Sequence, residues 1–239
     1  MDAKSPQLEL GFLQFDVPTM IGTILTCIIV FLITYLGARG VQMRRPGKKQ
    51  LIVEMIIGFI RNMLHENMDR RNAERYIGFA VTLFLFVFFA NQLGVVLMVT
   101  GTMETDLPSL GLMEGDKVSW FKSPTANMSV PVVMAVAITL FAHVMGIFTH
   151  PKTYFKDYLN PMHIIGEITK PMTHAMRLWA NIFAGEILIM VLVTVGSPLI
   201  TGAPLIIWIG YSLFIGAIQA YVFTILASIY IAQKVSPES

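Results

Sequence analysis

Charge is what this sequence has least of. Only 13% of its 239 residues are Asp, Glu, Lys or Arg, about half the roughly 25% usual in soluble proteins. So few charges cannot cover a water-facing globule, which argues against an ordinary soluble domain. Cysteine is nearly absent too, and the single Cys27 excludes a disulfide framework within the chain. The spacings His-Glu-x-x-His, Cys-x-x-Cys and Gly-x-x-x-x-Gly-Lys do not occur. No metal or cofactor is therefore expected. Basic residues are not interleaved with aromatics, which argues against nucleic acid as a partner. The opening Met-Asp-Ala-Lys-Ser-Pro lacks the basic region of a cleaved signal peptide.

What is present is apolar. Hydrophobic residues make up 55% of the chain, mean hydropathy is +0.66, and several runs approach the roughly 20 residues that span a bilayer. The fold class expected is an all-α membrane protein, a single polytopic domain over residues 1–239. It has five membrane-crossing helices and one amphipathic helix on the cytoplasmic surface.

The first span runs from Val17 to about Gly37, followed by Arg39, Arg44, Arg45, Lys48 and Lys49. The bias of Lys and Arg to cytoplasmic flanks puts this end inside and the amino terminus outside. Residues 50–68 are helical in period but interrupted by Glu54, Arg61, His65 and Glu66, as expected of a surface helix. Tyr76 to about Thr100 is the second span. Residues 101–122 form an outer loop without a basic excess, and about Ser129 to Thr149 is the third span, holding His143. A lone intramembrane His is more often a helix contact than a proton carrier. Residues 150–161, with Lys152 and Lys156, read as an inner loop. The fourth helix runs from about Met162 to Val195 and the fifth from about Leu205 to Ala232, joined by an uncharged turn over 196–204. Both are too long to stand upright in a hydrocarbon core of about 30 Å, so strong tilt is expected. The carboxyl terminus is then cytoplasmic.

The fourth helix carries charge where a membrane helix should have none. Arg177 and Glu186 lie well inside it, and an ion at such depth costs about 2.5–3.5 kcal/mol on insertion scales. At about 100° per residue, Asn181 lies one turn above Arg177 on the same face, Lys170 shares that stripe, and His174 is close by. Glu186 is nine residues on and faces the opposite way, so the two charges cannot pair within the helix. Two separate hydrated regions, one on each side, suit this pattern better than a structural ion pair. On the fifth helix, Ser212, Gln219 and Tyr230 return to one face, and Gln219 could approach Arg177 across the hairpin.

At Met-Arg-Leu-Trp-Ala-Asn-Ile-Phe-Ala-Gly-Glu (176–186) and Ile-Gln-Ala-Tyr-Val-Phe-Thr (218–224) the chain resembles subunit a of the membrane (Fo) sector of bacterial F-type ATP synthases. Asn91-Gln-Leu-Gly94, Ser-Pro-Thr-Ala at 123–126 and Arg45-Pro-Gly-Lys-Lys-Gln50 support this, and the resemblance covers nearly the whole chain. It implies a proton-conducting stator in the bacterial plasma membrane, not catalytic by itself. The implied partners are a ring of c subunits, the b-subunit peripheral stalk and the rest of the complex. Arg177 is implied to face the ring and to separate two offset aqueous half-channels. Glu186 is implied to line the outer one, and Asn181, Gln219 and Ser212 match polar positions near them. Glu167, Lys170, His174, Asn127 and Tyr230 are further candidates for lining. Asn127 stands where many members have Asp, Trp179-Ala180 replaces the commoner Phe-Gly, and His174 replaces an apolar residue. H⁺ and Na⁺ both stay open as the coupling ion, because the ion-binding carboxylate belongs to the ring.

Two other classes compete. A small-solute transporter would use Arg177 to hold an anion, but no internal repeat is present. An intramembrane hydrolase would need a nucleophile motif, and none occurs.

Overall fold

The computed structural model describes residues 5–10, 13–39, 42, 47–97, 99–102, 113, 115, 117–149, 151, 161–195 and 198–235. The described elements are strands β1 (Gln7–Leu10) and β2 (Leu13–Asp16), helices α1 (Val17–Ala38), α2 (Lys48–Asn67) and α3 (Arg70–Val96), strands β3 (Val99–Thr102) and β4 (Lys117–Phe121), a 3-10 turn (Pro124–Ala126), and helices α4 (Ser129–Thr149), α5 (Pro161–Val195) and α6 (Pro198–Val235). The fold is an all-α membrane protein. Five helices, all but α2, are long and apolar enough to cross a bilayer. Lys152 and Lys156 of the expected inner loop, and Arg44 and Arg45, lie outside the described residues.

Three boundaries differ from expectation. The helix expected from Tyr76 to Thr100 begins at Arg70 and ends at Val96, and Val99–Thr102 pairs with Lys117–Phe121 as an antiparallel hairpin. The β-branched residues in Val-Thr-Gly-Thr favour an extended chain over another helical turn. A second hairpin, β1 with β2, precedes α1, where no strand was expected. The turn before the last helix is shorter than 196–204, because α6 begins at Pro198, where a missing backbone N–H costs a helix nothing, and carries Pro204 inside it.

Helix α5 has 35 residues and α6 has 38. At about 1.5 Å per residue each exceeds a hydrocarbon core of roughly 30 Å by some 20 Å. The core lies between α3, α4 and this hairpin: Leu83 and Val87 of α3, Ile138 of α4, Leu178 of α5, and Ala220, Phe223 and Ala227 of α6 form one buried cluster. On α5 the inward stripe is Ala175, Leu178, Ile182, Gly185 and Ile189, spaced by threes and fours as a helix face requires. Without a hydrophobic drive between helices in lipid, close van der Waals contact holds this packing, and small residues permit it. A second cluster joins α2 to the rest through Ile60, Met63 and Leu64 against Ala73, Tyr76 and Ala80 of α3 and Ile231 of α6.

Candidate functional site

Arg177 follows from the α5 stripe. Leu178 is fully buried, so the residue one step back is turned about 100° away from the core. Arg177 is exposed, as are Thr173, Met176, Ala180, Asn181 and Ala184 around it. It makes no hydrogen bond or ion pair with any other described residue. The structure thus leaves a guanidinium bare on an otherwise mostly apolar outward face, with Phe183 and Ile187 further along.

One turn on, the Asn181 side-chain amide donates to Gln219 Oε1 at 3.0 Å, linking α5 to α6. Gln219, buried on α6, therefore meets Asn181 rather than Arg177. The two amides hold the hairpin together directly beside the cation.

Glu186 lies on another side, as its spacing predicts. The backbone N–H of Ser123 is aimed at its carboxylate and Lys122 acts from further off. Oε1 is buried without a hydrogen-bond partner. On α6, Ser212 is buried with its hydroxyl also unpartnered. A Cβ at Gly185 would come within 3.5 Å of Ser212 Oγ, and Trp208 Nε1 donates to the Gly185 carbonyl at 3.3 Å. A polar chain continues behind: Ser123 Oγ donates to the Ala90 carbonyl at 2.9 Å and lies 2.8 Å from Thr125 Oγ1, Thr125 donates to Asn91 Oδ1 at 2.8 Å, and Asn91 donates to the Gly216 carbonyl at 3.1 Å. Gln92 donates to the Leu213 carbonyl at 3.0 Å, and its Oε1 is buried and unpartnered. Buried polar atoms left open in this way normally signal a water or ion partner.

Near the other end of the hairpin the acid is saturated. Glu167 Oε1 accepts from Lys234 Nζ at 2.6 Å and lies 3.6 Å from Lys170 Nζ, and Oε2 lies 3.3 Å from His143 Nε2. Lys170 also donates to Gln233 Oε1 at 3.0 Å and sits 5.8 Å from the centre of the Tyr230 ring. A cavity of about 10 Å³ is lined by Thr139, Glu167, Lys170, Tyr230, Gln233 and Lys234, room for about one water. Between this cluster and Arg177 lies His174, buried against Phe223 and Tyr230 with ring centres 3.8 and 5.7 Å away.

Asn127 stands apart from both clusters. It donates to Asp16 Oδ2 at 3.1 Å and accepts from the Ser129 backbone N–H at 3.1 Å, which starts α4. Ser123, Thr125, Lys122 and Lys234 were not singled out as site residues in the sequence. The adjacent amides Asn91-Gln92 within an apolar run were the signal available for the first two.

The ATP synthase A chain family model matches residues 20–232. The chain belongs to that family. It is 36% identical to ATP synthase subunit a of Alkalihalophilus pseudofirmus, with 98% of each chain covered. It is 32% identical to ATP synthase subunit a of Listeria monocytogenes and 32% identical to that of Priestia megaterium, covering the full length of both. The matched stretch takes in all five spans from Met20 on, including Arg177, Glu186 and the amide pair Asn181–Gln219. The residues before Met20, including the β1–β2 hairpin and the start of α1, and the last three residues of α6 fall outside it.

Proposed function

We propose that this chain is the proton-conducting stator of a rotary ATP synthase, with its amino terminus outside and its carboxyl terminus in the cytoplasm. It is not catalytic by itself. Its outward α5 face meets a ring of c subunits, and the b-subunit stalk anchors it. The bare cation at Arg177 carries the reading. Small neighbours, Ala180 and Ala184, let a partner helix come close, and nothing in the described chain neutralises it.

A ring carboxylate crosses the lipid protonated, because an ion there is too costly. At ~4 Å from a guanidinium, with an effective dielectric of ~20, the attraction is roughly 4 kcal/mol. That favours the ionised carboxylate by roughly a thousandfold, before desolvation offsets part of it. The ring group therefore gives up its proton beside Arg177. Guanidinium stays charged where a buried ammonium would lose its proton, so it passes no proton itself and blocks a direct leak. Uptake runs through an outer half-channel formed by Glu186, Ser212 and the open Oε1 of Gln92. Release runs through an inner half-channel between Arg177 and the Glu167 cluster. Asn181 and Gln219 fix the hairpin at the divide.

The deciding measurement is proton-driven ATP synthesis by the whole complex reconstituted in vesicles. Arg177→Ala should abolish it while the subunit still inserts and co-purifies with the ring. Coupled synthesis retained in that variant overturns the reading. A transporter would show no ring on purification.

A further inference from the structure

Among the described residues, His174 is the one buried ionisable side chain between the two polar ends that the stator mechanism leaves without a task. Its exposure is 2% and its Nε2 has no hydrogen-bond partner. It lies three residues before Arg177 and four after Lys170, so one helical stripe carries Lys170, His174 and Arg177 in sequence. The imidazole rests on Phe223 and Tyr230, and the Tyr230 ring also bounds the water-sized cavity beside Glu167 and Lys170. A leucine would fill such a site without stranding a polar atom. An imidazole there calls for water or a proton at Nε2.

We infer that His174 is the proton station of the inner half-channel, between the ring carboxylate at Arg177 and the cavity at Glu167. This rests on the stator reading above. During synthesis the O–H bond of the ring acid breaks and an N–H bond forms at Nε2. The carboxylate left behind pairs with Arg177 and so offsets the charge that would otherwise oppose an imidazolium. That N–H bond then breaks to water in the cavity, and His174 returns to neutral. During ATP-driven pumping the same bonds form and break in reverse. Arg177 is the charged group that acts on this imidazole, and Tyr230 of α6 lies against it. Lys170 and Glu167 follow one and two turns back on the same helix, where Lys234 of α6 and His143 of α4 meet Glu167. Tyr76 of α3 belongs to the buried cluster that includes Ile231 of α6.

The test uses whole complexes in vesicles, measuring synthesis rate from pH 6 to 9 and passive proton conduction after removal of the catalytic head. His174→Leu should lower conduction about three- to tenfold near neutral pH and change the shape of the rate–pH profile. Imidazole added to the medium should restore part of the loss. His174→Phe keeps an aromatic ring against Phe223 and Tyr230 and removes both nitrogens, so it guards against a packing defect and should behave like His174→Leu. Wild-type conduction and an unchanged profile in His174→Phe would overturn the inference. So would a loss with an unaltered profile and no response to imidazole, which marks a packing role. Arg177→Ala run in parallel separates the two claims: if it stays coupled, the stator reading fails; if it is dead while His174→Phe is normal, only the assignment of His174 fails.

Discussion

Two glutamates on one helix, nineteen residues apart, meet opposite environments. Glu167 is held by Lys234, Lys170 and His143 within 2.6–3.6 Å. Glu186 has a backbone N–H aimed at it, a distant lysine and an oxygen with no partner at all. The first is a clamp that ties α4, α5 and α6 together. The second keeps one buried oxygen without a partner. A carboxylate that must exchange protons cannot also be saturated by two ammonium groups, so on the proposed stator reading the two ends of α5 would divide structural and exchange duties between them.

That contrast can be broken in order of expected effect. Arg177 lies between the two acids, and its loss should abolish coupling, as proposed above. Glu186→Gln should come next: proton-driven synthesis falls about a hundredfold, at the low end of the 10²–10⁴ range attributed to positioned acid–base groups, while the complex keeps its thermal stability. Glu167→Gln should do the reverse. Removing one member of a nearly buried ion pair costs about 3 kcal/mol, visible as a lower dissociation temperature of the solubilised complex. The double variant Glu167→Gln/Lys234→Met should recover part of that loss. If Glu186→Gln destabilises and Glu167→Gln only slows, the division of duties is wrong.

Smaller effects sharpen the picture of the outer end. A Cβ at Gly94 would collide with the Ser123 side chain, so Gly94→Ala should cost about 1–3 kcal/mol by overpacking. It should also displace the Ser123 N–H aimed at Glu186, and slower synthesis should accompany the lower stability. Asn127→Ala removes a bond to Asp16 and the cap of α4. A loss of about 1 kcal/mol, with little change in synthesis, is expected.

Much of this was legible beforehand. Apolar runs gave all five spans, with α4 correct at both ends, and the nine-residue step from Arg177 to Glu186 put them on different faces. What escaped were pairings between distant segments. Nothing local in Lys234 says that it reaches Glu167, 67 residues earlier, and it reads as an ordinary cation at a helix end. The Asn181–Gln219 bond spans 38 residues, and a helical period alone does not say which amide or cation Gln219 faces. The two hairpins escaped because strands of four or five residues are too short for a period of two to stand out from loop. Asn127 drew notice for what it replaces, yet the structure puts an acid, Asp16, directly against it.

One detail of α5 reaches beyond any single variant. Leu178 is locked in the core while Arg177 beside it hangs free. The positive group is thus a swinging arm on a fixed post. A passing wheel whose teeth sit slightly nearer or further can be met by torsion of the arm alone, with no give in the post. One housing could then serve wheels of different circumference, and swapping in a foreign ring is the trial that would reveal it.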